Sequence, residues 1–171
     1  MVFQAKNKDN FIIIDGSSYL YRAFFALPNL KTSTGLHSGA IHGFANMLNR
    51  IIGEYDPKYL LMVFDAKGKN FRHSIYDSYK ANRNAMPAEL SEQTRPIIDL
   101  VKAYGLKVIQ EEGVEADDVI ASAVNQIKLD KTQISISSGD KDLAQLVTKT
   151  VVLMSNFDSK VLYVEGVVSK F

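Results

Sequence analysis

Short apolar, β-branched runs alternate along the chain with longer stretches whose apolar residues recur every three or four positions. Residues 11–14, 59–64, 106–109, 133–137, 151–155 and 161–164 are of the first kind and are predicted strands. Residues 19–25, 40–54, 90–104, 119–127 and 142–147 are predicted helices. In 40–54 the positions Ile41, Phe44, Ala45, Leu48, Ile51 and Ile52 make one apolar face. Gly16 ends the first strand, and Ser17 or Ser18 offers a cap for the helix that follows. Residues 28–39 read as a loop, Pro57 and Gly105 are breaks, and Asn156-Phe157-Asp158-Ser159 reads as a hairpin turn. Residues 66–86 are polar, basic and aromatic without a clean period. Strands alternating with helices predict an α/β fold: a mostly parallel twisted sheet with helices on both faces. Such sheets bind ligands beyond the carboxyl ends of their strands.

That position is where the acids fall. Asp15 follows the first predicted strand, Asp65 the second, and Asp140 and Asp142 the strand at 133–137. Glu115, Asp117 and Asp118 open the helix at 119–127, where the positive helix end favours carboxylates. A single Asp after a strand is most simply a cap or turn residue. Seven acids from four segments at one sheet edge are not explained that way. Two unit charges about 4 Å apart repel by about 4 kcal/mol at an effective dielectric near 20. Several such pairs approach the roughly 5–15 kcal/mol that stabilises a domain. Protons or cations must relieve the repulsion. There is no Cys, and His37, His42 and His73 lie outside these segments. An oxygen-only donor set suits Mg²⁺ or Mn²⁺. Two such ions are the usual means of hydrolysing a phosphodiester.

Composition adds a charge separation. The net charge is +1, from 20 Lys and Arg against 19 Asp and Glu. Set the seven clustered acids aside and the remainder carries a formal +8, a basic body around an acidic pit. This fits a polyanionic partner, although solvated surface lysines are the plainer reading of such a balance. The 46% hydrophobic content supports one packed domain over 171 residues. No run of 18 apolar residues and no signal-peptide pattern occurs, so a cytoplasmic protein is expected, away from membranes. Lys67, Lys69, Arg72, Lys80 and Arg83 are interleaved with Phe71, Tyr76 and Tyr79. Cations that grip phosphate beside rings that stack on bases suit a single-stranded nucleic acid. A solvated insertion with its rings in the core is the alternative.

The motifs Asp15-Gly-Ser-Ser-Tyr-Leu-Tyr-Arg22, Val63-Phe-Asp-Ala-Lys67, Phe71-Arg72, Tyr79-Lys80-x-x-Arg83, Gly113-Val-Glu-Ala-Asp-Asp-Val119 and Gly139-Asp-Lys-Asp-Leu143-x-Gln145-Leu146 occur in one order. From about residue 10 to 171 the chain resembles the 5′ nucleases, the family of the N-terminal 5′-to-3′ exonuclease region of bacterial DNA polymerase I and of the flap endonucleases. The resemblance implies a PIN-like domain over 1–171 with a basic helical arch at about 67–95. It implies metal-dependent 5′-3′ exonuclease and 5′-flap endonuclease activity in replication and repair. The implied substrates are DNA with a 5′ flap or single-strand/duplex junction and RNA primers, and a monomer is expected. By the resemblance, Asp15, Asp65, Glu115 and Asp117 match ligands of one metal, and Asp140 and Asp142 ligands of the second. Asp118 belongs to the same cluster, directly or through water. Lys80 and Arg83 match arch residues that act on phosphate near the scissile bond. Arg22 and Arg72 are expected to be further phosphate contacts, and Tyr79 to stack on a base.

The sequence departs from the family pattern where it stops, at Val168-Ser-Lys-Phe171. The family continues with a Gly-Asp-x-x-Asp-Asn segment and a helical module. By this comparison the second metal set is expected to be incomplete and duplex affinity weak. A DNA-binding piece without catalysis and a PIN-type ribonuclease are the alternative functions. An aspartyl phosphatase needs a second Asp two residues after the first, and Ser17 stands there.

Overall fold

The computed structural model describes residues 10–27, 30–82, 84–127, 133–158 and 160–170. Six strands form one sheet: β1 (Asn10–Asp15), β2 (Tyr59–Val63), β3 (Lys107–Ile109), β4 (Gln133–Ser138), β5 (Val151–Ser155) and β6 (Val161–Leu162). Their order is β3-β2-β1-β4-β5-β6. All neighbours pair in parallel except the antiparallel edge pair β5–β6. The chain runs outward from β1 through β2 to β3, then returns to the other side of β1 as β4. Strand order therefore reverses between β1 and β4, and this switch point opens a crevice at their carboxyl ends.

The helices are α1 (Gly16–Ala26), α2 (Gly39–Tyr55), α3 (Phe71–Ile75), α4 (Ala88–Ala103), α5 (Ala116–Gln126) and α6 (Val164–Lys170). The two-residue period of β1 divides the core. Ile12 and Ile14 pack with α1, α2 and α4 through Leu20, Phe44, Leu48 and Ile97. Ile13 faces the other layer with Ile120 of α5, Ile136 and Leu143. Two glycines are required by close approach: a Cβ on Gly16 would stand 2.6 Å from the buried Phe64 ring, and one on Gly39 would collide with the backbone oxygen of Leu27.

Four local expectations change. The cap of α1 is Asp15, whose carboxylate accepts from Ser18 N at 2.9 Å, because the strand ends directly in the helix. Within the aperiodic segment, Asn70 nucleates α3 by accepting from Arg72 N at 3.1 Å. The predicted helix at 142–147 is a 3₁₀ turn, Lys141–Leu146, long enough only to bury Leu143 and Ala144. The last strand stops at Leu162, a short edge of the kind that limits strand addition, and α6 begins at Val164. Among the described residues no helix is long and apolar enough to cross a membrane.

Candidate metal and nucleic-acid site

An open cavity of about 640 Å³ lies at the switch point, and Asp15, Asp65, Glu115, Asp117 and Asp140 all line it. Asp15 is the last residue of β1 and is 5% exposed. Its two oxygens accept from Ser18 N and, at 2.6 Å, from Ser138 Oγ. Burial raises its pKa above the ordinary carboxylate value, opposed by those hydrogen bonds and reinforced by Asp65 and Asp140. Asp65 follows β2. Its backbone N donates to Ser17 Oγ at 2.9 Å, and its carboxylate accepts from Ala116 N at 2.9 Å. That second bond ties the end of β2 to the first turn of α5. Asp140 caps the 3₁₀ turn, accepting from Asp142 N at 2.8 Å.

Asp117 holds the centre electrostatically. Burial pushes it up to about 6, with Asp140, Asp15, Asp65 and Glu115 adding repulsion in that order. Glu115 lies differently, on the side of the basic segment. Burial alone would raise it, but Lys80, Tyr79 and Arg72 hold it below the ordinary range. Lys80 Nζ donates to Glu115 Oε1 at 2.6 Å and Tyr79 OH to Oε2 at 3.1 Å. The Lys80 backbone is left-handed, with φ 55°. That conformation costs a non-glycine residue about 1–2 kcal/mol, which the ion pair helps offset.

Not every expected residue faces the cavity. Asp118 is bound bidentately by Arg72, at 2.6 and 2.7 Å, and does not line it. Asp142 lies in the first turn of the 3₁₀ segment and does not line it either. Arg22 stacks its guanidinium over Phe157, 4.2 Å from the ring centroid. Tyr79 sets its ring against His73 at 5.5 Å, edge to face. Arg83 lies outside the described residues. In turn, the structure adds Tyr21, Asn84 and Lys141 to the wall. Tyr21 was readable in principle, since it stands one helical turn after Ser17 and Ser18, both of which line the cavity.

The donor set fits hard divalent cations, since the five cavity acids offer oxygen alone. As their side chains stand, no three acidic or histidine groups among the described residues converge tightly enough to hold an ion. The hydrogen bonds above account for this: Asp15, Asp65, Glu115 and Asp140 each turn toward protein donors. Asp117, pushed up to about 6 by burial and then by its acidic neighbours, keeps repulsion that no such donor relieves.

Residues 10–171 match the model of the 5′-3′ exonuclease, N-terminal resolvase-like domain. The chain belongs to this 5′-3′ exonuclease family. Among its relatives, DNA polymerase I of Pseudomonas aeruginosa is 46% identical over 160 residues, covering 94% of this chain and 18% of that protein. The 5′-3′ exonuclease of Aquifex aeolicus is 42% identical over 159 residues, covering 93% of this chain and 55% of its own length. The chain thus spans about a fifth to a half of these curated relatives. In structure it resembles a T5 5′-exonuclease variant, with a TM-score of 0.68 and 20% identity over 95% of this chain and 56% of that one. It also resembles a bacteriophage T5 flap endonuclease solved with DNA and metal ions, with a TM-score of 0.70 and 22% identity over 90% of this chain and 57% of that one. At such identities the likeness establishes the exonuclease fold. In this member of the exonuclease family the switch point, the acidic cavity and the adjoining basic segment occupy one end of the sheet.

Proposed function

We propose that this chain is the catalytic N-terminal module of a 5′-3′ exonuclease and 5′-flap endonuclease that hydrolyses phosphodiester bonds in DNA and in RNA primers. The reading rests above all on five carboxylates from four chain segments meeting in one cavity, with Asp117 at their centre. Asp15, Asp65, Glu115, Asp117 and Asp140 would hold Mg²⁺ or Mn²⁺, with Asp142 contributing to the second, still partial set. Bound divalent cations supply Lewis-acid polarisation of the phosphodiester. The protein's own groups position and balance charge. Ser18 N and Ser138 Oγ fix the Asp15 carboxylate, so its orientation does not depend on the ligand. Lys80 exchanges Glu115 for a phosphate oxygen, placing positive charge where negative charge grows in the transition state. Tyr21 lines the cavity wall, where its ring would stack on a base beside the scissile linkage. We read it as a monomeric cytoplasmic protein that acts in replication and repair on DNA with a 5′ flap or single-strand junction, a reading that kinship with DNA polymerase I supports.

The test is cleavage of a 5′-flapped duplex with Mg²⁺ or Mn²⁺, beside metal titration by calorimetry. Asp15→Ala and Asp117→Ala are expected to lower single-turnover cleavage at least about 100-fold while the fold is kept, and Lys80→Ala to slow it strongly. A second reading, a DNA-binding module without catalysis, draws on the absence of a preformed three-acid group among the described residues. It wins if flap DNA binds, no metal produces cleavage and Asp117→Ala changes nothing.

A further inference from the structure

We infer that Arg72 and Asp118 form a positioning clamp for the Glu115 carboxylate, in place of the phosphate contact and the metal-cluster acid implied by sequence. The inference rests on the proposed metal-dependent reading of the same site. Arg72 Nη1 and Nη2 donate to the two oxygens of Asp118 at 2.6 and 2.7 Å, a fork matched to a fork. Asp118 Oδ2 also accepts from Glu115 N at 3.1 Å, so the same carboxylate holds the backbone of the residue to be positioned. Three of its roughly four acceptor sites are thereby taken. Neighbouring contacts tighten the joint. Phe71 N donates to Gly113 O at 2.8 Å, and Asn70 Nδ2 donates to Glu115 Oε1 at 2.5 Å. Arg72 Nη1 stands 3.8 Å from Glu115 Oε2. Residues 70–72 are thus fastened to residues 113–118 by side chain and backbone together. The clamp sets the direction in which Glu115 presents its oxygens.

A double-mutant cycle decides the point, using Arg72→Gln, Asp118→Asn and the pair. Mn²⁺ affinity is read by calorimetry, and 5′-flap DNA affinity in EDTA is read against KCl concentration. Each single change should weaken Mn²⁺ binding about 10-fold, the pair no further than either, since loss of an orienting partner costs 10–100-fold. Flap affinity and its salt slope should stay unchanged. If Arg72→Gln weakens flap binding and lowers the salt slope by about 1, Arg72 is a phosphate contact and the clamp is wrong. If Asp118→Asn loses Mn²⁺ affinity and Arg72→Gln does not, Asp118 is a ligand and the clamp is again wrong. A wild-type chain that takes up no Mn²⁺ defeats the functional reading instead. Thermal melts of the four proteins then judge the clamp: coupled losses support it, and additive losses overturn it.

Discussion

Asp117 is where the cost of assembling the site is concentrated. Its folded pKa is raised from 3.8 to about 6 by burial and by four acidic neighbours. A raised carboxylate pKa means that the folded state holds the proton more tightly than the unfolded chain. The associated stability is therefore complete below about pH 4, is lost as pH rises through about 6, and stays lost at pH 7. A shift of two units corresponds to about 3 kcal/mol, and partial solvent access reduces this to about 1–2 kcal/mol. Asp117→Asn should therefore raise the melting temperature of the metal-free protein at pH 7 by about 2–6 °C. The gain should vanish near pH 4. Mn²⁺ should stabilise the wild type and leave Asp117→Asn nearly unmoved. Melts in EDTA across pH 4–8 would check this, and an Asp117→Asn protein less stable at pH 7 than the wild type would contradict it. The acids were legible in the sequence because residue type and position after strands are local facts. The partner of Asp118 was not, because Arg72 lies 46 positions away and reaches it only through the fold.

The strand–helix junction from β1 into α1 does at the level of elements what Asp117 does at the level of charge. Asp15 ends the strand and caps the helix. Ser17 accepts from Asp65 N, and Ser18 accepts from Gly139 N at 3.0 Å and from Asn156 Nδ2 at 2.9 Å. One helical turn thereby joins the ends of β1, β2 and β4 and the turn after β5. Its entry is set by Gly16 against Phe64, which is itself buried and stacked on Phe44 with ring centroids 6.0 Å apart. Gly16→Ala places a methyl 2.6–2.7 Å from three Phe64 ring atoms that have little room to retreat. Overpacking of this kind costs about 1–3 kcal/mol. The expected result is a melting temperature lower by several degrees together with weaker Mn²⁺ affinity, because Asp15 and the two serines move with the turn. Unchanged stability and metal affinity would show that α1 is free to slide. The long elements were readable because a run of apolar residues, a strict alternation as in Gln133–Ser138, or a 3.6-residue stripe leaves little choice of structure. Segment 66–86 was not, since α3 depends on one asparagine cap and on contacts with residues 113–118. The roles of Ser17 and Ser18 were misread as local caps because their true partners lie 48 to 138 positions away.

Across the whole molecule the charges oppose each other. A formal +8 outside the seven clustered acids attracts a polyanion, while the cavity repels the very phosphates it is proposed to cleave. At about 6 Å, and at effective dielectrics between 80 and 20, one phosphate and one carboxylate repel by about 1–3 kcal/mol. Cations in the cavity should therefore govern how closely DNA approaches as well as what happens to it. Ca²⁺, an oxygen-seeking cation suited to the same donors, is expected to tighten 5′-flap binding at least about 10-fold over EDTA at matched ionic strength. With two or three phosphates neutralised by the basic segment, affinity should still fall about 10–40-fold between 50 and 200 mM KCl. The two effects separate the surfaces, because salt acts on the basic body and Ca²⁺ on the pit. Asp117→Ala should abolish most of the Ca²⁺ effect and leave the salt dependence alone, whereas Lys80→Ala should lower the salt slope by about 1. Fluorescence anisotropy with a labelled flap measures both. Equal affinity in EDTA and Ca²⁺ would mean that DNA passes the molecule without entering the cavity, and the proposed chemistry would have no substrate there.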